Sequence, residues 1–342
     1  MSARLIDIAA ETGITPTAVS YVLNGRAHKV GKATREKVLQ AVARLGYHPN
    51  SSARAVRKGR HGALALIMSP GPHRSLLTPE MVLGITRALA RNNLRLLIDY
   101  VTDEQLTSED ALPRLLIERA CDGMLLNYHA HIPPMLEPLT EHFHIPTVWI
   151  NAKHDHNSVC PDDHGAAQLA TETLIAEGHR RIAYSDASFN AATAAGDIHF
   201  SKLARRAGYE AAMAAAALPT ELLLDQAPAG LTRRENVTAY ADQLRATFRR
   251  RRPRRPPTAV LSYGGWGLEV LRQVFCEQSA TVELMAFGIT DNMINDRLIR
   301  GLIIPMEEVG ERAVDMLLRR ISDPTLRIPS ETIPFRWSDP TC

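Results

Sequence analysis

The chain is 342 residues long, 45% hydrophobic and 23% charged, an ordinary globular composition with room for two domains and a sizeable core. No stretch reaches the roughly 18 apolar residues a spanning helix needs, and the start MSARLIDIAAETG lacks the apolar segment of a signal peptide, so a cytoplasmic location and no membrane partner are expected. Cys121, Cys160, Cys276 and Cys342 lie far apart without a C-x-x-C, which excludes a zinc ribbon, a redox pair and a disulfide scaffold.

Charge is distributed unevenly. Residues 1–60 carry eleven Lys+Arg against three Asp+Glu, a net of +8, whereas the remaining 282 residues carry 29 basic and 34 acidic groups, a net of −5. A basic head on an acidic body suits a polyanion-binding module joined to a globular sensor. In the head, Leu5, Ile6, Ile8, Ala9 and Thr12 recur at helical spacing until Gly13 stops the helix and turns the chain. Thr15 stands at an N-cap position with Pro16 at the first helical place. A second helix over 16–24 points Val19, Val22 and Leu23 inward and leaves Thr17, Ala18, Ser20, Tyr21 and Asn24 outward. Gly25 ends it. A third helix is predicted over 32–45, with Val38, Leu39, Val42 and Leu45 on its apolar stripe and Gly46 at its end. Two short helices about a glycine turn, braced by a third, form a helix-turn-helix whose second helix fits a major groove.

Beyond residue 61 short apolar runs alternate with amphipathic segments. Strands are predicted at 63–68, 94–99, 123–128, 147–150, 181–185, 221–224, 258–263 and 283–288. Alternation of strand and helix implies parallel sheets with ligands at the carboxyl ends of the strands. Three H-x-H pairs lie within 129–164: His129/His131, His142/His144 and His154/His156, with His164 beyond. Such spacing in an extended segment suits zinc or nickel; polar loop residues holding no metal is the simpler reading, and no metal or cofactor is assigned. No nucleophile–base set, phosphate loop or H-E-x-x-H helix points to an enzyme. The run RRRRPRR ending at Arg255 could grip phosphates or serve as a solvated basic loop.

The runs LIDIAAETGITPTAVSYVLNG and TREKVLQAVARLGYHPNSSARAVRKGR resemble the lactose-repressor (LacI/GalR) family of transcriptional regulators across nearly the whole head. The resemblance implies an all-α, lambda-repressor-like helix-turn-helix over 1–48, a hinge over 49–60, and a two-lobed, periplasmic-binding-protein-like α/β domain over 61–342. Lobe one would take about 61–161 and 292–323, and lobe two about 162–291 and 324–342. It further implies a homodimer, most simply a repressor, that reads a palindromic double-stranded operator under control of a small-molecule effector. A regulator with a degenerate pocket, acting without effector, is the alternative.

By position, the resemblance places Thr17, Ser20 and Tyr21 at bases with Pro16 beside them, Asn24 and His28 at backbone or groove edges, and Thr15 among the DNA-binding residues at the helix start. Many relatives carry Arg at the place of Tyr21; Arg grips guanine with two hydrogen bonds and Tyr cannot. Asn50, Ala53, Arg54, Val56 and Arg57 fall on the family's hinge helix, with Val56 where a leucine usually wedges into the minor groove. In the larger domain Arg205, in R-x-x-G-Y, matches the family's anchoring arginine, and Asp162 or Asp163 its acidic position. The N-D after one strand is replaced by Tyr263-Gly264-Gly265-Trp266, and G-F-D-D by Ala286-Phe287-Gly288-Ile289. A carboxylate for sugar hydroxyls is therefore expected to be missing. An apolar pocket walled by Tyr263 and Trp266 would favour an organic or aromatic acid, or a phosphorylated metabolite, held by Arg205 over a plain sugar.

Overall fold

The computed structural model describes residues 3–23, 27–47, 60–71, 74–106, 118, 120–196, 198–225, 233–250, 256–277, 281–288 and 299–338. Contacts divide the chain into two compact units, Met1–Gly62 and Ala63–Cys342.

The first unit holds helices α1 (Leu5–Thr12), α2 (Pro16–Leu23) and α3 (Lys32–Leu45). The Asp7 carboxylate accepts the Arg4 backbone N–H at 2.7 Å, which closes the start of α1. Gly13 at φ 67° and Gly46 at φ 58° take the left-handed conformation that ends α1 and α3. Thr15 Oγ1 accepts the Ala18 N–H at 3.3 Å, so the predicted cap of α2 is formed. Ile8, Ala9, Val19, Val22, Val38 and Ala41 make the core. Leu39 is a correction: it is 44% exposed. At about 100° per residue, positions 38, 41, 42 and 45 share one face and 39 falls beside it.

The second unit contains two six-stranded sheets. The first has the order β11-β5-β4-β3-β1-β2, from β1 (Ala63–Met68), β2 (Arg95–Tyr100), β3 (Gly123–Asn127), β4 (Thr147–Ile150), β5 (Ser158–Pro161) and β11 (Glu331–Ile333). The second runs β12-β10-β9-β8-β6-β7, from β6 (Ile182–Asp186), β7 (Glu221–Leu224), β8 (Ala259–Ser262), β9 (Glu283–Phe287), β10 (Ile299–Ile303) and β12 (Arg336–Trp337). Every pairing is parallel except β10 with β12. All six residues of β1 are buried, as expected for a strand covered on both faces. Leu64 and Leu66 enter the core beneath α4 (Pro79–Arg91) and α11 (Met306–Ser322), while Ala65 and Ile67 enter the core beneath α5 (Leu136–His142). The second sheet is covered by α6 (Asp163–Ala176) and α8 (Phe200–Ala215) on one face. On the other lie α9 (Arg233–Arg250) and α10 (Gly265–Glu277). A short helix, α7 (Phe189–Ala195), follows β6.

Two strands differ from expectation. β10, placed by sequence in lobe one, pairs with β9 in the second sheet. β11, placed in lobe two, pairs with β5 in the first. The late crossing therefore lies at Ile304–Pro305, just before α11, rather than ahead of residue 292. The chain also crosses near residue 162 and again between β11 and β12.

Close helix packing depends on glycines. A Cβ at Gly84 would sit 1.9 Å from the Glu307 carbonyl oxygen, and one at Gly208 2.2 Å from that of His164. These glycines bring α4 against α11 and α8 against α6.

Candidate functional site

In the first unit Pro16 opens α2, with Thr17 exposed and Ser20 and Tyr21 half-buried on the same helix. Lys29 lies 5.4 Å from the Tyr21 ring centre, and His28 is exposed in the one-turn helix Ala27–Lys29. Asn24, Asn50, Ala53, Arg54, Val56 and Arg57 lie outside the described residues.

In the second unit the carboxyl ends of the strands carry a polar cluster. Arg205, 4% exposed on α8, donates from Nε to Asp163 Oδ1 at 2.7 Å and from Nη1 to the Tyr263 carbonyl at 2.6 Å. Its guanidinium lies 4.6 Å from the Tyr263 ring centre and 4.7 Å from that of Phe287. Lys202, one turn earlier, donates to both oxygens of Asp186, at 2.9 and 2.8 Å, and to Ser188 Oγ at 2.9 Å. Its ammonium stands 4.0 Å from the centre of the same Tyr263 ring. Burial pushes the Asp163 carboxyl above the ordinary carboxylate range, and the Arg205 guanidinium pulls it back. Burial lowers Lys202, opposed by Asp186, and raises the Tyr263 phenol, opposed by Arg205. Asp163 Oδ2 and Tyr184 Oη are buried without a hydrogen-bond partner among the described residues.

The expected site residues thus separate. Arg205, Asp163 and Tyr263 come together. Asp162 instead caps α6, its Oδ1 accepting the Gly165 N–H at 3.0 Å. Trp266 belongs to the first turn of α10, and its side chain lies outside the described set. The cluster does hold carboxylates, Asp163 and Asp186, though not at the altered position after β8, and Arg205, expected to hold the ligand, is paired with Asp163. Sequence reasoning missed Asp186 and Lys202. Their signal was available: SDAS directly follows a predicted parallel strand, at its ligand-facing end.

Among the described residues no H-x-H pair joins a third metal ligand. The group that does come together is Glu177, His179 and Glu283, and Arg300 already spans both of its carboxylates. His154 stacks on Trp149 at 4.2 Å, and His129 meets His199 at 4.5 Å. The basic run after α9 lies outside the described residues from 251 to 255.

Family comparisons agree with this layout. Residues 4–50 match the model for bacterial regulatory proteins of the lacI family. Residues 77–252, just over half of the chain, match that for periplasmic binding proteins and the sugar binding domain of the LacI family. The chain belongs to the LacI family. Family members are DNA-binding transcriptional regulators rather than enzymes. The maltose regulon regulatory protein MalI of Escherichia coli K12 is 34% identical over 186 residues, 52% of each chain. The transcriptional repressor PurR of Vibrio parahaemolyticus is 26% identical over 332 residues, covering 94% of this chain and 92% of the relative. In fold, this LacI-family chain resembles the lac repressor dimer bound to operator and an anti-inducer, with a TM-score of 0.74 and 17% identity over 99% of this chain and 98% of the other. No helix among the described residues is long and apolar enough to cross a membrane.

Proposed function

We propose that this LacI-family regulator binds a near-palindromic operator as a homodimer, acts as a repressor, and changes its DNA affinity when a small molecule enters the cleft between its lobes. The observation that carries the effector half is the buried pair of ion pairs, Asp163–Arg205 and Asp186–Lys202, at the carboxyl ends of parallel strands. Burying two such pairs is expensive in stability, and a site for a polar ligand accounts for that expense. Exposed apolar side chains on the first lobe support the second copy. Ile98 and Tyr100 on the edge strand β2 are 48% and 54% exposed, and Leu83 on α4 is 41% exposed.

The same pairs revise the effector class. Lys202 and Arg205 each have a carboxylate, so the cluster offers no surplus positive charge, and the buried Asp163 Oδ2 needs a hydrogen-bond donor. We therefore favour an uncharged, hydroxyl- or amide-bearing ligand over the acid or phosphorylated metabolite that sequence suggested. In a thermal-shift panel, neutral polyols and amides should raise the melting temperature, by the equivalent of about 2.7 kcal/mol at a hundredfold excess over Kd. Stabilisation by carboxylates and phosphate esters alone would reverse this choice.

DNA reading is tested by selecting bound duplexes from a random library at near-physiological salt. Enrichment of a palindrome is expected; enrichment of no motif, with or without ligands, would overturn the operator reading. On the enriched site, Tyr21→Ala should weaken binding by about 0.5–1.5 kcal/mol, the worth of one hydrogen bond to a base edge. Binding to unrelated DNA should be nearly unchanged, because that binding rests on phosphate charge. Titration of both duplexes by fluorescence anisotropy separates the two effects.

A further inference from the structure

We propose that His199 is a positioning residue that ties the state of the cleft cluster to the closure of the two lobes. The proposal rests on the cleft reading above, and its observations are separate from those that gave that reading.

His199 caps α8 on the second lobe, and its ring reaches the first. Its Nε2 donates to the Asn151 carbonyl beyond β4, at 3.3 Å. Because a carbonyl only accepts, the proton sits on Nε2 and Nδ1 is the acceptor. Nδ1 faces Ser201 Oγ at 2.7 Å, and Ser201 Oγ in turn faces the Tyr263 hydroxyl at 2.8 Å. The Tyr263 ring lies against Lys202 and Arg205. One hydrogen-bonded line therefore runs from the main chain of the first lobe, through His199 and Ser201, to the wall of the cluster. Beside it the His129 ring, on the first lobe, meets His199 edge to face at 4.5 Å and 83°. The His131 ring comes within 3.1 Å of the point where a Cβ at Gly196 would sit. Gly196, at φ 72°, leaves room for this approach. A ligand that moves Tyr263 must move Ser201 and His199, and with them the contact to Asn151.

The line requires a neutral imidazole. A second proton on Nδ1 would displace the hydrogen that Ser201 donates. The titratable groups around the ring oppose that proton too, His129 from the first lobe and Arg205 and Lys202 from its own helix, while the bond to the Asn151 carbonyl favours it. The neighbouring Phe200 ring, 4.4 Å away, offers no charge to hold it. Burial, first among these causes, pushes His199 down to about 3. With the lobes apart, the ring returns toward the ordinary value of about 6.5. The closed form is therefore fully favoured above about pH 6.5, and acidification below that value draws the protein open, since only the open form takes the proton.

The test is small-angle scattering of the full chain behind a size-exclusion column, from pH 8 to pH 5.5, without DNA or effector. The wild type should expand on acidification, with its midpoint below about 6.5. His199→Gln keeps a neutral donor for Asn151 and should stay compact throughout. Tyr263→Phe removes the far end of the line, weakens the closed form and should raise the midpoint. A structural role alone would not move that midpoint. A wild type that does not expand, a His199→Gln protein that expands as the wild type does, or an unmoved midpoint in Tyr263→Phe overturns the proposal. A chain that bound no effector would still show the expansion, so the effector reading fails in the thermal-shift panel and this proposal fails in the scattering.

Discussion

Replacing Asp163 by Ala should destabilise the larger unit by about 3–5 kcal/mol, the usual consequence of leaving one buried charge without its partner. Arg205 would keep its bond to the Tyr263 carbonyl at 2.6 Å, but a carbonyl cannot neutralise a guanidinium sealed between Tyr263 and Phe287. The paired replacement Asp163→Leu with Arg205→Met should restore most of the loss, because two matched apolar side chains need no desolvation offset. Urea unfolding with a shared slope reads both proteins. A single variant with the wild-type midpoint would mean that water reaches Arg205 and that the pair is not buried in solution. The double variant is also expected to lose every ligand response while keeping its fold, which separates the two roles of the pair.

Gly84→Ala sets two effects of opposite sign against each other. In an exposed helix alanine is better than glycine by about 1 kcal/mol. Here the new methyl would lie 1.9 Å from the Glu307 carbonyl oxygen, a main-chain atom that can yield only if α4 and α11 separate. Overpacking of this kind costs about 1–3 kcal/mol, occasionally more, so the clash is expected to win. The melting temperature should fall by roughly 2–8 °C for a unit of this size. Calorimetry on the full chain decides; a rise would show that helix propensity outweighs packing at this crossing. The same contest at Gly208 concerns α6 and α8, and there a loss would also displace Arg205 and Lys202.

Much of the head was legible because its signals are local. Thr15, Pro16, Gly13 and Gly46 each act on main chain within a few residues of themselves, and the structure uses all four. Ile8, Val19 and Val38 follow a helical period that needs no knowledge of their partners. The eight strongest strands were legible for a similar reason, being apolar runs between helices. β5 was missed: it is four buried residues, SVCP, beside a polar loop, with no alternation to mark it. β10 and β11 lie in sheets fixed by partners far along the chain, and nothing in IRGLI or ETI names that partner. The site was half legible. Family position pointed to Arg205 and Asp163, but that they face each other, and that Lys202 faces Asp186, follows from where α8 crosses the strand ends. The acid effector was drawn from the arginine's chemistry alone, and the carboxylate that pairs with it is visible only in the structure.

The crossings of the chain between the two sheets have a consequence for the protein's birth. Neither lobe is a continuous stretch: the first sheet waits for residues 331–333 and the second for 336–337. The unit ending at Gly62 has no such dependence. At a synthesis rate of about 5–20 residues per second, the basic head leaves the ribosome roughly 15–55 s before the sensing unit has its last strand. During that interval the growing polypeptide carries a finished polyanion-binding module with no completed regulator behind it. The larger unit must meanwhile hold two unfinished sheets, with their apolar strand faces and open edges, until residues 331–337 close both.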